Sequence, residues 1–204
     1  MADPPAVSVI TAAYNCETYL EECVRSVQEQ MLPPNEHIIV DDCSTDRTYD
    51  LALRLADEHT TVPIRVLQMP HNGGAAAARN AAISAATTEW IGVLDSDDVA
   101  LADWLAMVFG SPLPASVAWV GGGGVVMDEH GVALGSPECS YKRGDVTALT
   151  RAGHFPFLHP GSVFRRSVVL NLGGYDIRVR ASHDHDLMLR VSYRGELKHS
   201  GRPH

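Results

Sequence analysis

The sequence predicts an α/β fold, a mainly parallel central sheet sandwiched by helices, with a smaller mixed portion after it. Two observations predict this. Four short apolar runs, 7–12, 37–40, 64–67 and 90–94, alternate with longer amphipathic segments, and such runs belong to strands covered on both faces by crossover helices. The composition, 204 residues with 45% hydrophobic and 20% charged, supplies a sizeable core for one domain. The alternation ends near residue 110, which divides the single domain 1–204 into two halves.

Val7-Ser-Val-Ile-Thr-Ala12 reads as the first strand. Tyr14-Asn15 follows, and Leu20, Cys23, Val24 and Val27, at i, i+3, i+4 and i+7, mark one face of a helix that Asn15 is placed to cap. Pro33-Pro34 breaks the chain before a second strand, His37–Val40. Asp41-Asp42-Cys43-Ser44-Thr45-Asp46 then turns into a second helix with Tyr49, Ala52, Leu53 and Ala56 on one face. Ile64–Leu67 is the third strand, Asn72-Gly73-Gly74 opens an alanine-rich helix through Ala86, and Trp90–Leu94 is the fourth strand. Beyond Pro112 the pattern changes. Val117–Met127 is strand-like but interrupted by the glycines 121–124, and Asp128–Gly131 before Val132-Ala-Leu134 predicts a hairpin turn. A loop rich in His, Phe and Pro, 153–160, leads into a strand, Ser162–Phe164, and a short helix from Ser167. The last helix runs from about Asp184 to Arg194 and stops at Gly195. Lys198–His204 reads as a flexible polar tail, carrying His199 and His204.

The net charge of −9 excludes a general nucleic-acid binder, which needs a basic face. Cys16, Cys23, Cys43 and Cys139 lack CxxC spacing and read as reduced cytosolic thiols. No leader pattern and no run of membrane-spanning length is present. The expectation is a cytoplasmic protein whose membrane contact, where it has any, is peripheral at the inner surface.

In parallel sheets, ligands sit outside the carboxyl ends of the strands. That edge collects Tyr14, Asp41, Asp42 and the pentad Leu94-Asp95-Ser96-Asp97-Asp98. Three carboxylates in four positions raise one another's pKa values unless a cation shares their charge, and Mg²⁺ or Mn²⁺ bound with substrate phosphates is the fitting partner. Asp97 is the better metal ligand, Asp95 the better ribose partner, and Asp98 a cap for the next helix. Asp41 can accept from a base imide or a ribose hydroxyl, and Tyr14 can stack on a base. The segment from Asn72 to Asn80 lacks both GxGxxG and a P-loop lysine, but its Arg79 carries a planar donor fork that suits a diphosphate. Asp184, Leu187, Met188 and Val191 share a helical face. Asp184 therefore stands in a first turn, where the helix terminus favours the charged carboxylate that a general base needs. The flanking His183 and His185 permit a second metal site as an alternative. His154, Phe155, Phe157 and His159 are candidates for acceptor contact.

Taken in order, the blocks Val7–Asn15, Ile39–Asp46, Asn72-Gly-Gly with Ala78-Arg-Asn80, Leu94–Asp98, Gly173-Gly-Tyr-Asp176 and Asp184-His-Asp-Leu187 resemble the family 2 glycosyltransferases of the GT-A fold. The resemblance implies a metal-dependent, inverting transfer of a sugar from a nucleotide diphosphate sugar to a hydroxyl acceptor: a glycan, a lipid-linked saccharide or a small molecule. UDP is the expected nucleotide, with dTDP and GDP open. It implies that the backbone near Ala12, with Tyr14 and Asp41, holds the base, that Arg79 faces the diphosphate and Asp95 the ribose, and that Asp97 holds Mn²⁺ or Mg²⁺. Asp184 corresponds to the second residue of the family's Glu-Asp pair, the catalytic base. About 1–110 is then the nucleotide-sugar half and about 111–204 the acceptor half. Three positions depart from the pattern: Ala13, Cys43 and, at the base, His183 where an acid is usual. Two rival readings stay open. A sugar-phosphate nucleotidyltransferase would want a glycine-rich basic loop where Thr11-Ala-Ala-Tyr-Asn15 stands, and a non-catalytic nucleotide-sugar-binding module would bind donor without turnover.

Overall fold

The computed structural model describes residues 5–58, 60–128, 130–136 and 145–203. In chain order the first half is β1 (Val7–Ala13), α1 (Leu20–Gln28), β2 (Glu36–Asp41), α2 (Thr48–Asp57), β3 (Ile64–Gln68), α3 (Ala75–Ala85) and β4 (Trp90–Val93). The second half adds α4 (Trp104–Phe109), β5 (Val117–Gly123), the hairpin β6 (Val126–Met127) and β7 (Ala133–Gly135), α5 (Val146–Arg151), β8 (Val163–Arg165), α6 (Arg166–Asn171), α7 (His183–Ser192) and β9 (Glu196–Pro203). Seven strands form one sheet in the order β3-β2-β1-β4-β8-β5-β9. β1, β2, β3 and β4 pair in parallel, β8 is antiparallel to both its neighbours, and β9 runs parallel to β5.

The alternation of side chains across each strand fills two layers. Ile10, Ile38, Val40, Ile91 and Val93 point to the face where α3 lays its alanines, Ala78 and Ala82, and Ile83. Val7, Val9 and Trp90 point to the other face, against Val27, Trp104 and Leu105. The small side chains of α3 let its backbone approach the sheet closely, which brings Arg79 over the strand ends.

Four expectations are corrected. Asn15 does not cap α1, which begins at Leu20; it adopts a left-handed conformation, φ 49°, in the loop before it. The buried face of α2 is Thr48, Ala52 and Leu55, with Leu53 exposed, because the helix starts at Thr48 and that stripe meets Leu20, Val24 and Ile39. The polar tail is a strand: residues through Pro203 extend β9 alongside β5, with Lys198 opposite Val120. Its backbone pairing supplies what its side chains do not. Asp98 does not cap a helix, since α4 begins only at Trp104. The hairpin is present as β6 and β7, although Glu129 of its turn lies outside the described residues, as do Cys139 and His204. Cys16, Cys23 and Cys43 are free thiols. Among the described residues no helix is long and apolar enough to cross a membrane.

Candidate active site

The strand register sets the site. Ala13 lies opposite Asp41, and the Leu94 N–H donates to the Ile10 carbonyl at 3.1 Å. β1 and β2 therefore end level, and the chain leaving β4 runs on beside β1, so Ala12, Tyr14, Asp41 and Asp95 arrive at one edge. Tyr14 leaves 48% of its surface exposed there. The left-handed Asn15 ties two strand-end loops together: its N–H donates to Ser44 Oγ at 3.0 Å and its Oδ1 accepts from the Thr45 N–H at 2.8 Å. A short polar side chain tolerates that backbone conformation better than a bulky one.

The acid pair 41–42 works inward. Asp41 is fully buried and accepts from the Ser44 N–H at 3.2 Å and from Gln68 Nε2 at 3.3 Å. Having no exposed surface, it shapes the loop that follows β2 and is not an open acceptor. Asp42, also buried, accepts from the Gly73 and Gly74 N–H groups at 2.9 and 2.7 Å. It thus satisfies two amides at the start of α3 that have no partner within the helix. Sequence reading missed this clamp, because capping is looked for in the residue next to the helix and here comes from a neighbouring strand.

The pentad closes in a turn, with the Asp98 N–H donating to the Asp95 carbonyl at 3.1 Å. Asp97 is exposed. Burial, reinforced by the charges of Asp95 and Asp97, pushes the Asp98 carboxyl up to about 6. A cation at this turn would relieve that repulsion, and an all-oxygen donor set suits a hard divalent ion. Among the described residues no three His, Cys, Asp or Glu side chains converge on one point. An ion on Asp97 would accordingly fill its coordination shell from water and ligand phosphate oxygens.

Arg79 joins the turn to the last helix. Its side chain is buried, with Nη2 on Asp95 Oδ1 at 2.5 Å and Nη1 on His183 Nε2 at 2.6 Å, and its guanidinium lies 5.9 Å from the Tyr175 ring centre. Burial works against the Arg79 charge, but the Asp95 carboxylate more than offsets it, so its pKa is raised. Asp184 stands in the first turn of α7 with about a quarter of its side chain exposed. Burial opposes its charge, but the backbone N–H groups of His185 and Asp184 at the helix start favour it, and the carboxyl lies below its ordinary range. Asp184 is ionised at neutral pH.

The block Gly173-Gly174-Tyr175 locks this arrangement. Asn80 of α3 both donates to the Tyr175 carbonyl, at 2.9 Å, and accepts from its N–H, at 2.8 Å. Gly174 has φ 74°, and a Cβ there would meet Asn80 Oδ1 at 2.3 Å, so backbone angle and space both require glycine. The sequence signal was a polar residue in the middle of an alanine-rich helix. From the other side, Arg190 donates to the carbonyls of Leu172 and Gly174 and pairs with Asp186.

The acceptor candidates separate. Phe157 and His159 are buried and leave that set. The Phe157 ring packs where Gly121 has no side chain and lies 6.2 Å from Trp119, while His159 Nε2 hydrogen-bonds Tyr175 Oη at 2.7 Å. Burial and the Arg79 charge push the His159 pKa far down, so it is neutral. His154 is exposed, and Phe155 stacks flat on His185 with ring centres 3.8 Å apart. That stack adjoins Asp184.

The model of the family described as glycosyl transferase family 2 matches residues 8–111, slightly more than half of the chain. The chain belongs to glycosyl transferase family 2. TuaG of Bacillus subtilis (strain 168), a glycosyltransferase named for teichuronic acid biosynthesis, is 47% identical over 94 residues, covering 46% of this chain and 36% of TuaG. Staphylococcus aureus TarS (residues 1–349), solved in complex with UDP-GlcNAc, superposes with a TM-score of 0.75 at 21% identity, over 95% of this chain and 55% of TarS. The mannosyltransferase PcManGT of Pyrobaculum calidifontis, solved with GDP-Man and Mn²⁺, gives 0.71 at 23% identity, over 97% and 55%. The two solved neighbours establish the GT-A fold. This chain spans about a third of TuaG and just over half of each solved neighbour.

Proposed function

We propose that this chain carries the donor site and the catalytic base of an inverting glycosyltransferase, which moves a sugar from a nucleotide diphosphate sugar, UDP-linked first, to a hydroxyl of a glycan or glycoconjugate under construction. One observation carries the reading: Arg79 links Asp95 of the acidic turn to the first turn of α7, so the acidic edge and an ionised Asp184 belong to one site. Family membership and the naming of TuaG as a teichuronic acid biosynthesis glycosyltransferase support it.

In this reading Tyr14, the Ala12 backbone and the loop that Asp41 holds in shape receive the base. Asp95, steadied by Arg79, faces the ribose, and Arg79 lends positive potential to the diphosphate. Asp97 would hold Mn²⁺ or Mg²⁺; PcManGT with GDP-Man and Mn²⁺ is a solved precedent in this fold. Bound there, the ion supplies Lewis-acid stabilisation of the leaving group. Asp184 accepts the proton of the acceptor hydroxyl as that oxygen attacks the anomeric carbon from the face opposite the nucleotide. The Phe155–His185 stack offers a flat apolar wall for an acceptor sugar.

The test is direct. UDP, GDP and dTDP are titrated with and without Mn²⁺, and transfer is then followed from the matching donor sugars. Asp97→Ala should abolish the Mn²⁺-dependent part of nucleotide binding, and Asp184→Asn should bind donor normally while transfer falls by about 10²–10⁴-fold. Wild-type transfer by Asp184→Asn would remove Asp184 as the base. Release of pyrophosphate from a nucleoside triphosphate and a sugar phosphate would replace the reading with the nucleotidyltransferase.

A further inference from the structure

His183 stands where the family's usual acid precedes the base, and the structure gives this histidine a partner that constrains its chemistry. Arg79 Nη1 lies 2.6 Å from His183 Nε2. A guanidinium has donors only, so the imidazole nitrogen must be the acceptor. That makes His183 neutral, with its proton on Nδ1. The other end of the Arg79 fork is spent on Asp95, and the Tyr175 ring stands edge-on to the imidazole at 5.8 Å. The charged and titratable groups around the imidazole are Arg79 of α3, Asp95 of the acidic turn, Asp184 beside it, Tyr175 and His159.

Among the described residues the other hydrogen bonds of this helix start lie within α7 or run from its later turns to Leu172 and Gly174. The preceding Ser182 is left-handed, φ 58°, and makes no side-chain cap to α7. Its carbonyl accepts the Asp186 N–H, which is internal to the helix start. Arg190, paired with Asp186, anchors the next turns to the Leu172 and Gly174 carbonyls, a separate tie that reaches α3 through Tyr175 and Asn80 and does not touch the turn at 183–184.

We infer that His183 is a positioning residue: as a neutral acceptor it pins the turn that carries Asp184 to Arg79, and through Arg79 to Asp95. The inference rests on the reading of Asp184 as the base. An acid at 183 would add a negative charge beside Arg79 and compete with Asp95 for it. The neutral ring leaves the Arg79 charge shared between Asp95 and the anionic ligand. A displacement of about 1 Å in a reacting group can cost about a hundredfold in rate, so such a pin controls turnover more than donor affinity.

The experiment has two arms on the full chain. In the first, ¹⁵N NMR of the histidine rings reads the tautomer, and amide hydrogen exchange reads residues 184–186. His183 should show an unprotonated Nε2, and His183→Ala should exchange these amides about tenfold faster. The second compares His183→Ala with His183→Gln, whose side-chain oxygen reaches about where Nε2 lies. His183→Ala should lose about 10–100-fold in kcat with the donor KM within about twofold, and His183→Gln should recover most of kcat. A protonated Nε2, parent-like exchange in His183→Ala, or a His183→Gln as slow as His183→Ala overturns the inference. If no donor supports transfer by the parent while the first arm comes out as stated, the pin stands and the glycosyltransferase reading falls.

Discussion

Asp42→Asn tests whether the start of α3 is held from β2. Both Asp42 oxygens are used, on the Gly73 and Gly74 N–H groups at 2.9 and 2.7 Å. Asparagine keeps the shape but has one oxygen, so one glycine N–H must face an NH₂. Losing a hydrogen bond to a charged group costs about 1.5–3 kcal/mol. Gly73 and Gly74 are themselves exposed, so water can approach the released amide and the loss sits near the low end, about 1.5 kcal/mol. For a chain of 204 residues, each kcal/mol moves Tm by about 2–4 °C, which gives a fall of about 3–6 °C. Thermal unfolding by circular dichroism measures this, with Asp42→Ala, which loses both bonds, expected to fall further. A variant that melts within about 1 °C of the parent would refute the clamp. Weaker UDP binding at an unchanged Tm would instead put Asp42 in contact with the nucleotide.

Three further outcomes follow from the geometry. His37 is fully buried against Thr11 Oγ1 at 2.9 Å, and burial pushes its pKa down to about 3. The unfolded chain therefore takes up a proton near pH 6.5 that the folded chain refuses until about 3, and stability falls as pH drops through that window by about 1.4 kcal/mol per pH unit for each such histidine. The buried His159 acts in the same direction and Asp98, whose carboxyl is pushed up to about 6, in the opposite one, so His37→Gln should lower the slope of urea-unfolding stability between pH 6 and 5 by up to about 1.4 kcal/mol per pH unit; an unchanged slope would exclude a contribution from His37. Gly121→Ala puts a Cβ 2.1 Å from the Phe157 ring and should cost about 1–3 kcal/mol by overpacking. Phe157→Leu in the same chain should recover part of that loss, and strict additivity would show that the two residues do not meet. Phe155→Ala should raise the acceptor KM several-fold with donor affinity unchanged, whereas loss of donor binding would move the Phe155–His185 wall to the nucleotide side.

What the sequence made legible was whatever depends on periodicity and on the topology that periodicity implies. β1, β2, β3 and β4 are apolar runs, and parallel pairing brings their carboxyl ends to one edge of the sheet. Tyr14, Asp41 and Asp95 could therefore be put on one edge from widely separated positions. β9 could not be read, because Lys198-His-Ser-Gly-Arg-Pro203 has no strand propensity and is a strand only through its ladder with β5. The buried stripe of α2 was misread because Thr48, a polar residue whose hydroxyl accepts the Cys16 N–H at 2.8 Å, begins it. Phe157 and His159 sit in a loop that looks exposed from its prolines, but Gly121 opens a space in β5 that Phe157 fills, and Tyr175 gives His159 its polar partner. Such cross-chain complementarity leaves no periodic trace.

The acids that look alike in the sequence differ in the structure by what their lone pairs already hold. Asp41 and Asp42 are spent on backbone amides and Gln68, and Asp95 on Arg79, whereas Asp97 is exposed and Asp184 keeps a partly exposed carboxylate at the helix start. A carboxylate already satisfied by the fold contributes to stability when it stays ionised. An ionised carboxylate held partly open is where a ligand charge or proton is met. Asp→Asn changes along the edge should then fall into two groups, with Asp41 and Asp42 lowering Tm, and Asp97 and Asp184 lowering metal-dependent binding or transfer at nearly unchanged Tm. Asp95 should do some of each, because its partner Arg79 is also the link to His183. If Asp97→Asn lost as much stability as Asp42→Asn, the exposed acid would be part of the scaffold, and the proposed metal position would have to move to another carboxylate of the turn.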